Sequence, residues 1–273
     1  MVERDIIIHA HIFKNAGSTF DHTLKQNFAD NFIEHREDHL VRSNAGFLHQ
    51  FLNANPKVQA FSSHSIYHFP QSTDSLHLHS VYFLRHPIER IRSVYNFEKK
   101  QPEDASSGAA MAKKMNFKEY VDWRMQDSSP ATIRNLQTIF LAGIGHVGMK
   151  RHNIAELAMA NLEKTPMHGV VDRYDESMIV LEDYLAPYFP QIDLSYVRRN
   201  VTDTDFDTSV EVKSQRLLDE LPTDLARAVQ EKNQLDMTLY QKANELLDQK
   251  LAAIADVGQR LAEFKERCRR RAS

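Results

Sequence analysis

The chain has 273 residues, of which 42% are hydrophobic and 26% are charged, and it contains 8 Gly and 9 Pro. This length allows one large domain or two small ones, and this composition excludes collagen-like, low-complexity and wholly disordered chains. With 34 Lys and Arg against 37 Asp and Glu, the net charge is −3. The chain therefore lacks the overall positive charge typical of nucleic-acid-binding proteins, and any anion-binding site must be local.

The cysteine content and the first residues predict the compartment. Cys268 is the only cysteine, so the chain can form no internal disulfide, and its sequence has no Cys/His spacing typical of a zinc site. This cysteine usage favours a reducing, cytoplasmic compartment. Residues 3–5 are charged, and the apolar run after them is too short for a signal peptide or a membrane span. We therefore expect no membrane anchor.

Three short apolar runs predict strands that are buried in a parallel sheet, and polar residues follow each of them. The runs are residues 6–13, 58–61 and 79–84. Helical spacing of apolar residues follows the first and the third run. Short strands alternating with helices predict an α/β fold of the P-loop-like, three-layer kind, with a central parallel sheet flanked by helices. In such sheets, ligands bind at the carboxyl ends of the strands.

Later segments complete the predicted organisation. Residues 101–114 are small, polar and proline-containing, which predicts a mobile surface segment. Beyond Thr208 nearly all residues are helix formers, and residues 222–224 (PTD) predict the start of one long C-terminal helix. We divide the chain into an α/β core, residues 1–208, and a C-terminal helical segment, residues 209–273.

The C-terminal segment carries a stripe of apolar residues. Leu247, Ile254, Leu261 and Cys268 recur every seven residues. Such a stripe predicts a contact between helices. It indicates either packing on the α/β core or a homodimer contact, and the sequence favours neither.

The turn after the first predicted strand has the form of an anion-binding loop. It reads KNAGST from Lys14 to Thr19, and a helical pattern begins at Phe20. Small residues let backbone N–H groups approach an anion, and a helix N-terminus adds the positive end of its dipole. The order of a Walker A motif is absent because the lysine precedes the small residues, which disfavours a triphosphate with Mg²⁺. Taken alone, the turn fits an ordinary helix cap equally well.

A second basic element follows the third predicted strand. It reads LRHPIERIRSVY from Leu84 to Tyr95, and Pro87 predicts the helix start. Arg85 offers a planar fork of N–H donors and Ser93 a hydroxyl, a combination that can hold a terminal phosphate. The alternative interpretation is an amphipathic helix with surface charges.

Together the two elements resemble the sulfotransferase family that uses 3′-phosphoadenosine 5′-phosphosulfate. Residues 13–20 (FKNAGSTF) are similar to the family's P-K-[TS]-[GA]-[GS]-T-S loop, which binds the 5′-phosphosulfate, and residues 84–95 are similar to its L-R-x-P-x-x-R-x-x-S-x-Y element, which binds the 3′-phosphate. Weaker similarities extend the resemblance to about residues 6–245; they lie at residues 135–138 (NLQT), 170–177 and 235–240. The sequence most closely resembles carbohydrate sulfotransferases, including the heparan-sulfate 2-O branch.

The resemblance implies a set of donor-binding residues. They are Lys14, Asn15, Ala16, Gly17, Ser18, Thr19, Phe20, Arg85 and Ser93. Phe13, Asn15 and Ala16 depart from the residues most usual in the family. Lys14 would also be catalytic, because its charge can stabilise the leaving phosphate. The resemblance implies no metal, and His77, His79 and His86 lack a recognised ligand spacing.

Sulfuryl transfer also needs a base that takes the proton of the acceptor hydroxyl, and histidine suits this role near neutral pH. His64 follows the second predicted strand, in a segment that resembles the G-H-x-x-Y region where related carbohydrate sulfotransferases place their base. We predict His64 as the base, with His68 as the alternative. His9 and His11 lie inside the first predicted strand, which indicates core or strand-edge residues.

The resulting hypothesis is a sulfotransferase that moves a sulfuryl group from 3′-phosphoadenosine 5′-phosphosulfate to a hydroxyl acceptor, expected to be a carbohydrate. Trp123 and Arg124 are candidates for lining the acceptor cleft, although core packing suits the tryptophan better. No nucleic-acid partner is expected. Two alternatives stay open. One is a nucleotide-dependent kinase on the same scaffold, and the other is a non-catalytic binding or assembly protein on a decayed sulfotransferase scaffold.

Overall fold

A computed structural model describes residues 3–36, 38–44, 46–143, 153–165, 167–197 and 208–272. Its centre is a five-stranded sheet in which every pairing of neighbouring strands is parallel. The strands are β1 (Arg4–Ala10), β2 (Phe32–Glu34), β3 (Ala60–Ser63), β4 (Leu76–Leu84) and β5 (Met167–Val170). They lie in the order β2-β3-β1-β4-β5. The predicted α/β fold class is confirmed.

Helices surround this sheet. Within the described residues they are α1 (Gly17–Phe28), α2 (Asp38–Ser43), α3 (Phe47–Ala54), α4 (Pro87–Lys100), α5 (Ser107–Lys114), α6 (Phe117–Met125), α7 (Leu136–Ala142), α8 (Ile154–Lys164), α9 (Tyr174–Leu185), α10 (Val210–Asp219), α11 (Thr223–Glu231), α12 (Gln234–Ala252) and α13 (Val257–Ala272). Their buried apolar residues form two clusters, a main core around the sheet and a second core around α4, α5 and α6. None of these helices combines the length and the hydropathy that crossing a bilayer requires.

The strand β1 occupies the middle of the sheet because its apolar run is buried on both faces. Ile6, Ile7 and Ile8 have no exposed surface, as expected for a central strand of a parallel sheet. The strand is shorter than predicted and ends at Ala10. There the N–H of Ile12 donates to the Ala10 carbonyl at 2.9 Å, which closes a turn out of the sheet. The edge strand β2 has no counterpart among the predicted strands, since three residues are too few to show a period.

Residues 101–114 lie largely on the surface, as predicted, but they form helical structure instead of a loop. Ser106 caps α5 by accepting the N–H of Ala109 at 3.0 Å. Ala112 is fully buried in the second core. A Cβ atom at Gly108 would lie 2.2 Å from a carboxylate oxygen of Glu98 on α4. The small residues of this segment therefore serve close packing between helices, not a loop.

The predicted C-terminal helical segment is present, and a helix begins at Thr223 as predicted, but the chain turns twice and forms α11, α12 and α13 instead of one helix. Before α13 the chain reverses at Asp256, whose φ of 50° lies in the left-handed region. The reversal brings the predicted apolar stripe onto the core. Leu247 is buried in the main core, and Ile254, Leu261 and Cys268 pack against it. Of the two predicted contacts of this stripe, packing on the α/β core is the one observed.

Candidate active site

The polar loops that follow β1, β3 and β4 meet at one edge of the sheet and carry Lys14, His64 and Arg85 respectively. Because β1 lies between β3 and β4, Lys14 is central, with His64 on one side and Arg85 on the other. A guanidinium N–H of Arg85 donates to the main-chain oxygen of Lys14 at 2.9 Å. On the other side, His64 Nδ1 donates to the main-chain oxygen of His11 at 2.9 Å. The structure thus gathers these three predicted residues around one loop.

The loop between β1 and α1 has the backbone form of an anion-binding site. Lys14 (φ 63°) and Ala16 (φ 59°) both take left-handed conformations, which occur where main-chain N–H groups surround an anion. The helix α1 begins at Gly17 without a side-chain cap, and Ser18 in its first turn is exposed. Thr19 is nearly buried and donates its N–H to the Ala16 carbonyl at 3.0 Å. The start of α1 therefore offers N–H donors and a positive dipole end to an anion.

The ammonium group of Lys14 has neighbouring cations and, within the described part of the chain, no carboxylate partner or hydrogen-bond acceptor. It lies over the ring of Phe97, 4.7 Å from the centroid. Partial burial, together with the positive charges of Arg85 and Lys100, lowers its pKa to about 8. A half-buried cation beside other cations is unfavourable unless an anion joins it. An anion bound beside Lys14 would therefore stabilise its charged form.

Arg85 is held by Glu89, one turn into α4. Its Nε and one terminal nitrogen both donate to the Glu89 carboxylate, the latter at 2.7 Å, and the other terminal nitrogen donates to the Lys14 carbonyl. Within the described residues, three of the five guanidinium N–H groups have an acceptor and two do not. Arg85 is thus fixed in place and keeps donors for a phosphate oxygen.

Ser93 lies on the face of α4 that contacts the loop. Three residues before it, Arg90 donates to the main-chain oxygen of Phe13 at 3.1 Å, and four residues after it the ring of Phe97 lies 5.2 Å from the ring of Phe13. Residues three and four apart share one face of a helix. Ser93 therefore faces the loop that carries Lys14, and its joint action with Arg85 on one phosphate stays a prediction.

Two members of the predicted donor-binding set point into the protein. The Asn15 side chain is buried and donates to the main-chain oxygen of Phe83 at 2.6 Å and to the side-chain oxygen of Gln137 at 2.7 Å. Phe20 has no exposed surface and packs against His9 and Phe83. These two side chains hold the loop in shape rather than line its open face.

Gln137 ties the two basic loops together. Its side-chain oxygen accepts from Asn15 at 2.7 Å and from the Arg85 N–H at 2.8 Å, and its side-chain nitrogen donates to the Arg85 carbonyl at 2.9 Å. The next residue, Thr138, donates from its N–H and its hydroxyl to buried Asp236, both at 2.8 Å. The weak sequence similarities at residues 135–138 and 235–240 thus meet in one network behind the loop.

We expect the replacement Gln137→Ala to loosen both loops, because it leaves buried polar groups of Asn15 and Arg85 without partners. The expected cost is about 1–3 kcal/mol of folding free energy and about a tenfold loss of affinity for adenosine 3′,5′-bisphosphate. Denaturant unfolding and calorimetry measure the two effects. The exposed Gln126→Ala replacement is the control and should change neither, and an unchanged Gln137→Ala variant would contradict the role of the network.

His64 is the predicted base that contacts the end of β1. Its ring centroid lies 3.8 Å from that of His11. Since a carbonyl can only accept, the hydrogen bond to the His11 oxygen fixes a proton on His64 Nδ1, so Nε2 is the basic nitrogen of the neutral ring. For His68 the described structure shows no contact with His11.

Asp21 forms a buried cluster with two histidines that the sequence patterns do not bring together. Its two oxygens each accept from a ring Nδ1 at 2.7 Å, one from His9 and one from His11. Burial would raise the pKa of Asp21, but His9 and His11 lower it well below its usual value. The spacing of 10 and 12 residues crosses from strand to helix, so neither a helical nor a strand period reveals this cluster.

The Asp21 cluster has the composition of a metal site, although its groups already satisfy one another. One potential ligand atom from each of His9, His11 and Asp21 lies within 4.8 Å of the other two. Both Nδ1 atoms, however, carry protons toward the carboxylate. The expectation of a metal-free site stays a prediction.

A comparison with models of protein families tests the family that the two loops suggested. A model described as the sulfotransferase family matches residues 1–243. The chain belongs to this family. It is also similar to an uncharacterized protein of Archaeoglobus fulgidus, with 31% identity over 251 residues, which cover 90% of this chain and 98% of that protein.

The family match includes every predicted site residue of this sulfotransferase chain. It begins at residue 1, includes the loop after β1, Arg85 and Asp236, and ends within α12, before α13 begins. The predicted family is therefore confirmed, whereas the match carries no assignment to the heparan-sulfate 2-O branch. Helix α13 begins after the last residue that the family model matches.

Arg124, a candidate for lining the acceptor cleft, lies instead in the second core. It is 1% exposed and donates to both carboxylate oxygens of Glu98, at 2.6 and 2.7 Å. Tyr120 donates its hydroxyl to the same carboxylate. An acceptor cannot reach a guanidinium that is enclosed in this way, so its predicted role in the cleft is wrong.

Proposed function

We propose that the chain transfers a sulfuryl group from 3′-phosphoadenosine 5′-phosphosulfate to a hydroxyl group, with a carbohydrate as the expected acceptor. The observation that carries the proposal is the half-buried Lys14 ammonium, which has cationic neighbours and belongs to the loop that leads into an uncapped helix start. This arrangement suits the anionic end of a nucleotide. Family membership supports sulfuryl transfer as the chemistry.

The donor has anionic groups at two places, and the loops offer cations at two places. Lys14 and the first turn of α1 would hold the 5′-phosphosulfate, and Arg85 with Ser93 would hold the 3′-phosphate. The contact between Arg85 and the Lys14 carbonyl keeps these two positions side by side. Two adjacent anionic groups on one molecule therefore suit the site better than a single anion.

In the proposed reaction the acceptor oxygen attacks sulfur, and a new S–O bond forms while the S–O bond to the 5′-phosphate breaks. The acceptor proton passes to His64 Nε2. The electron pair of the broken bond leaves with adenosine 3′,5′-bisphosphate, whose added charge Lys14 and the α1 N–H groups stabilise. The hydrogen bond from His64 Nδ1 to the His11 carbonyl selects the neutral tautomer in which the lone pair of Nε2 can accept this proton.

The kinase alternative has less support, because the carboxylates near the loop already bind other side chains. Within the described residues, Asp21 binds two histidines, Glu89 binds Arg85, and Asp172 accepts the Tyr240 hydroxyl. A kinase needs an acidic group that is free to hold Mg²⁺ near the phosphates. The other alternative, a non-catalytic binding or assembly protein, gives the half-buried cation of Lys14 no role.

The test is calorimetry with adenosine 3′,5′-bisphosphate and, separately, with ADP plus Mg²⁺. A sulfotransferase binds the first more tightly, a kinase binds the second more tightly, and an assembly protein binds neither. Preference for ADP plus Mg²⁺ would overturn the proposal. Turnover is then followed as the release of adenosine 3′,5′-bisphosphate from the phosphosulfate donor, in a mixed pool of oligosaccharides and simple alcohols.

We expect His64→Ala to lower this turnover by about 10²–10⁴-fold, since it removes the base. The affinity for adenosine 3′,5′-bisphosphate should stay within about threefold of the unmodified chain, because His64 lies on the side of the loop away from Arg85. His68→Ala is the matched control. If His68→Ala loses turnover and His64→Ala keeps it, the roles of the two histidines are exchanged.

A further inference from the structure

The buried Asp21 cluster joins three elements of the site. Asp21 lies in α1, whose start forms the anion-binding loop, and its two partners come from the end of β1. His9 Nδ1 also lies 3.1 Å from the Ser62 hydroxyl of β3. All four groups are nearly or fully buried, so none of them meets a substrate directly. Any effect on the reaction must pass through a neighbour.

His11 is the member of the cluster that reaches the candidate base. Its ring lies against the His64 ring, and its main-chain oxygen accepts from His64 Nδ1. The ring also lies against the first residue of α1, since a Cβ atom at Gly17 would lie 2.2 Å from His11 Cδ2. His11 therefore fills the space between His64 and the anion-binding loop, and Gly17 is the residue that admits its ring.

We propose that His11, held by Asp21, is a positioning residue that sets the place of the His64 ring relative to the anion-binding loop. This role rests on the proposed function, in which His64 is the base. The Asp21 carboxylate accepts from His11 Nδ1, so the His11 ring cannot rotate without losing a short, charge-assisted hydrogen bond in a buried site. A ring fixed in this way limits where the neighbouring imidazole can lie.

If the cluster served only the stability of the fold, it would not need an ionised carboxylate and two histidines. Burying an ionised carboxylate is costly, and well-packed apolar residues of similar volume often give equal stability. The cluster also contains its own comparison. His9 donates to the same carboxylate at the same 2.7 Å, and its ring packs against Phe20 and Phe83 and stacks on the His11 ring at 5.0 Å, whereas the ring contact with His64 belongs to His11. A structural role predicts similar effects from both histidines, whereas a positioning role predicts an effect on turnover from His11 alone.

The test compares His11→Asn with His9→Asn. The asparagine amide can donate from nearly the same place as Nδ1, so both variants keep a partner for Asp21 and both lose a ring. We expect His11→Asn to lower the release of adenosine 3′,5′-bisphosphate from the donor about 10- to 100-fold, and His9→Asn less than about threefold. Binding of adenosine 3′,5′-bisphosphate should stay within about threefold in both.

Equal losses of turnover in the two variants, or unchanged turnover in His11→Asn, would overturn the positioning role. One tightly bound zinc ion per chain, lost in both variants, would also overturn it, because the metal would then hold His11. If the unmodified chain binds no adenosine 3′,5′-bisphosphate, the proposed function itself fails. The two failures are thus distinguishable. Absence of nucleotide binding by the unmodified chain overturns the proposed function, whereas unchanged turnover in His11→Asn overturns only the positioning role.

A second measurement needs no variant and serves if the replacements prevent folding. In the full chain labelled with ¹⁵N-histidine, the imidazole nitrogen shifts report which ring nitrogen carries the proton. We expect adenosine 3′,5′-bisphosphate to shift the signals of both His64 and His11 while those of His9 stay in place. A shift of His64 without any shift of His11 would contradict the proposed coupling.

Discussion

Replacing Lys14 by methionine is expected to weaken the binding of adenosine 3′,5′-bisphosphate roughly 100-fold. A charge-assisted contact to phosphate contributes about 3 kcal/mol, and each 1.4 kcal/mol is about a factor of ten in affinity. Turnover should fall further, by about 10²–10³-fold at saturating donor, because the same charge stabilises the leaving phosphate. Calorimetry gives the first number and product release gives the second.

The matched control for this prediction is Lys100→Met. Lys100 lies at the end of α4, is exposed, and contributes to the positive surroundings of Lys14. Its replacement removes the same charge from the protein but should change affinity less than about threefold, since exposed charges are screened. Equal losses in the two variants would mean that net charge, and not the placement of Lys14, attracts the nucleotide.

The pH dependence of nucleotide affinity offers a further check on Lys14. The pKa of Lys14 is lowered to about 8, first by burial and then by Arg85 and Lys100. The ammonium form is the one that binds phosphate, so affinity should fall as the pH rises through about 8. Lys14→Met should lack this fall. A wild-type affinity that stays constant up to about pH 9.5 would contradict the proposed contact.

Glu98→Ala should cause the largest loss of stability, about 3–5 kcal/mol, because it leaves the Arg124 guanidinium buried without its counter-charge. Arg124 and Glu98 are 1% and 6% exposed and are joined by two hydrogen bonds to the carboxylate. For a chain of this size the loss corresponds to a fall of about 10 °C in Tm. Thermal unfolding followed by circular dichroism measures it.

Two further variants test whether the loss of stability comes from the unpaired buried charge of Arg124. The double replacement Glu98→Leu with Arg124→Met should regain most of the lost stability, since apolar residues of similar volume can replace a buried ion pair. The exposed pair between Lys114 and Glu103 is the surface control, and Glu103→Ala should leave Tm unchanged. If Glu98→Ala melts at the wild-type temperature, the pair is not a major source of stability.

The sheet was predictable because its strands are buried on both faces and read as continuous apolar runs. Residues 6–8 and 81–84 are such runs, and they became β1 and β4. The segment 101–114 was mispredicted because small and polar residues have two physical meanings. They favour turns when the backbone is exposed, and they also permit close helix packing, as Gly108 does against Glu98.

The turn between β1 and α1 was also predictable, because the residues that form it are consecutive, from Lys14 to Thr19. Its binding of an anion stays a prediction. The supporting network was harder, since Gln137 and Asp236 are far apart in sequence and meet only in the fold. Asp21 was missed for the same reason. A buried carboxylate in an apolar helix face is a signal in principle, but its partners at positions 9 and 11 belong to another element.

The position of β1 between β3 and β4 has an evolutionary consequence if the proposed function is correct. Donor recognition would then depend on the loops after β1 and β4, while the acceptor would approach over the loop after β3. Changes on the β2 and β3 side could therefore alter which hydroxyl is modified without disturbing use of the common donor. Related proteins could therefore come to modify different acceptors while their nucleotide-binding residues stay the same.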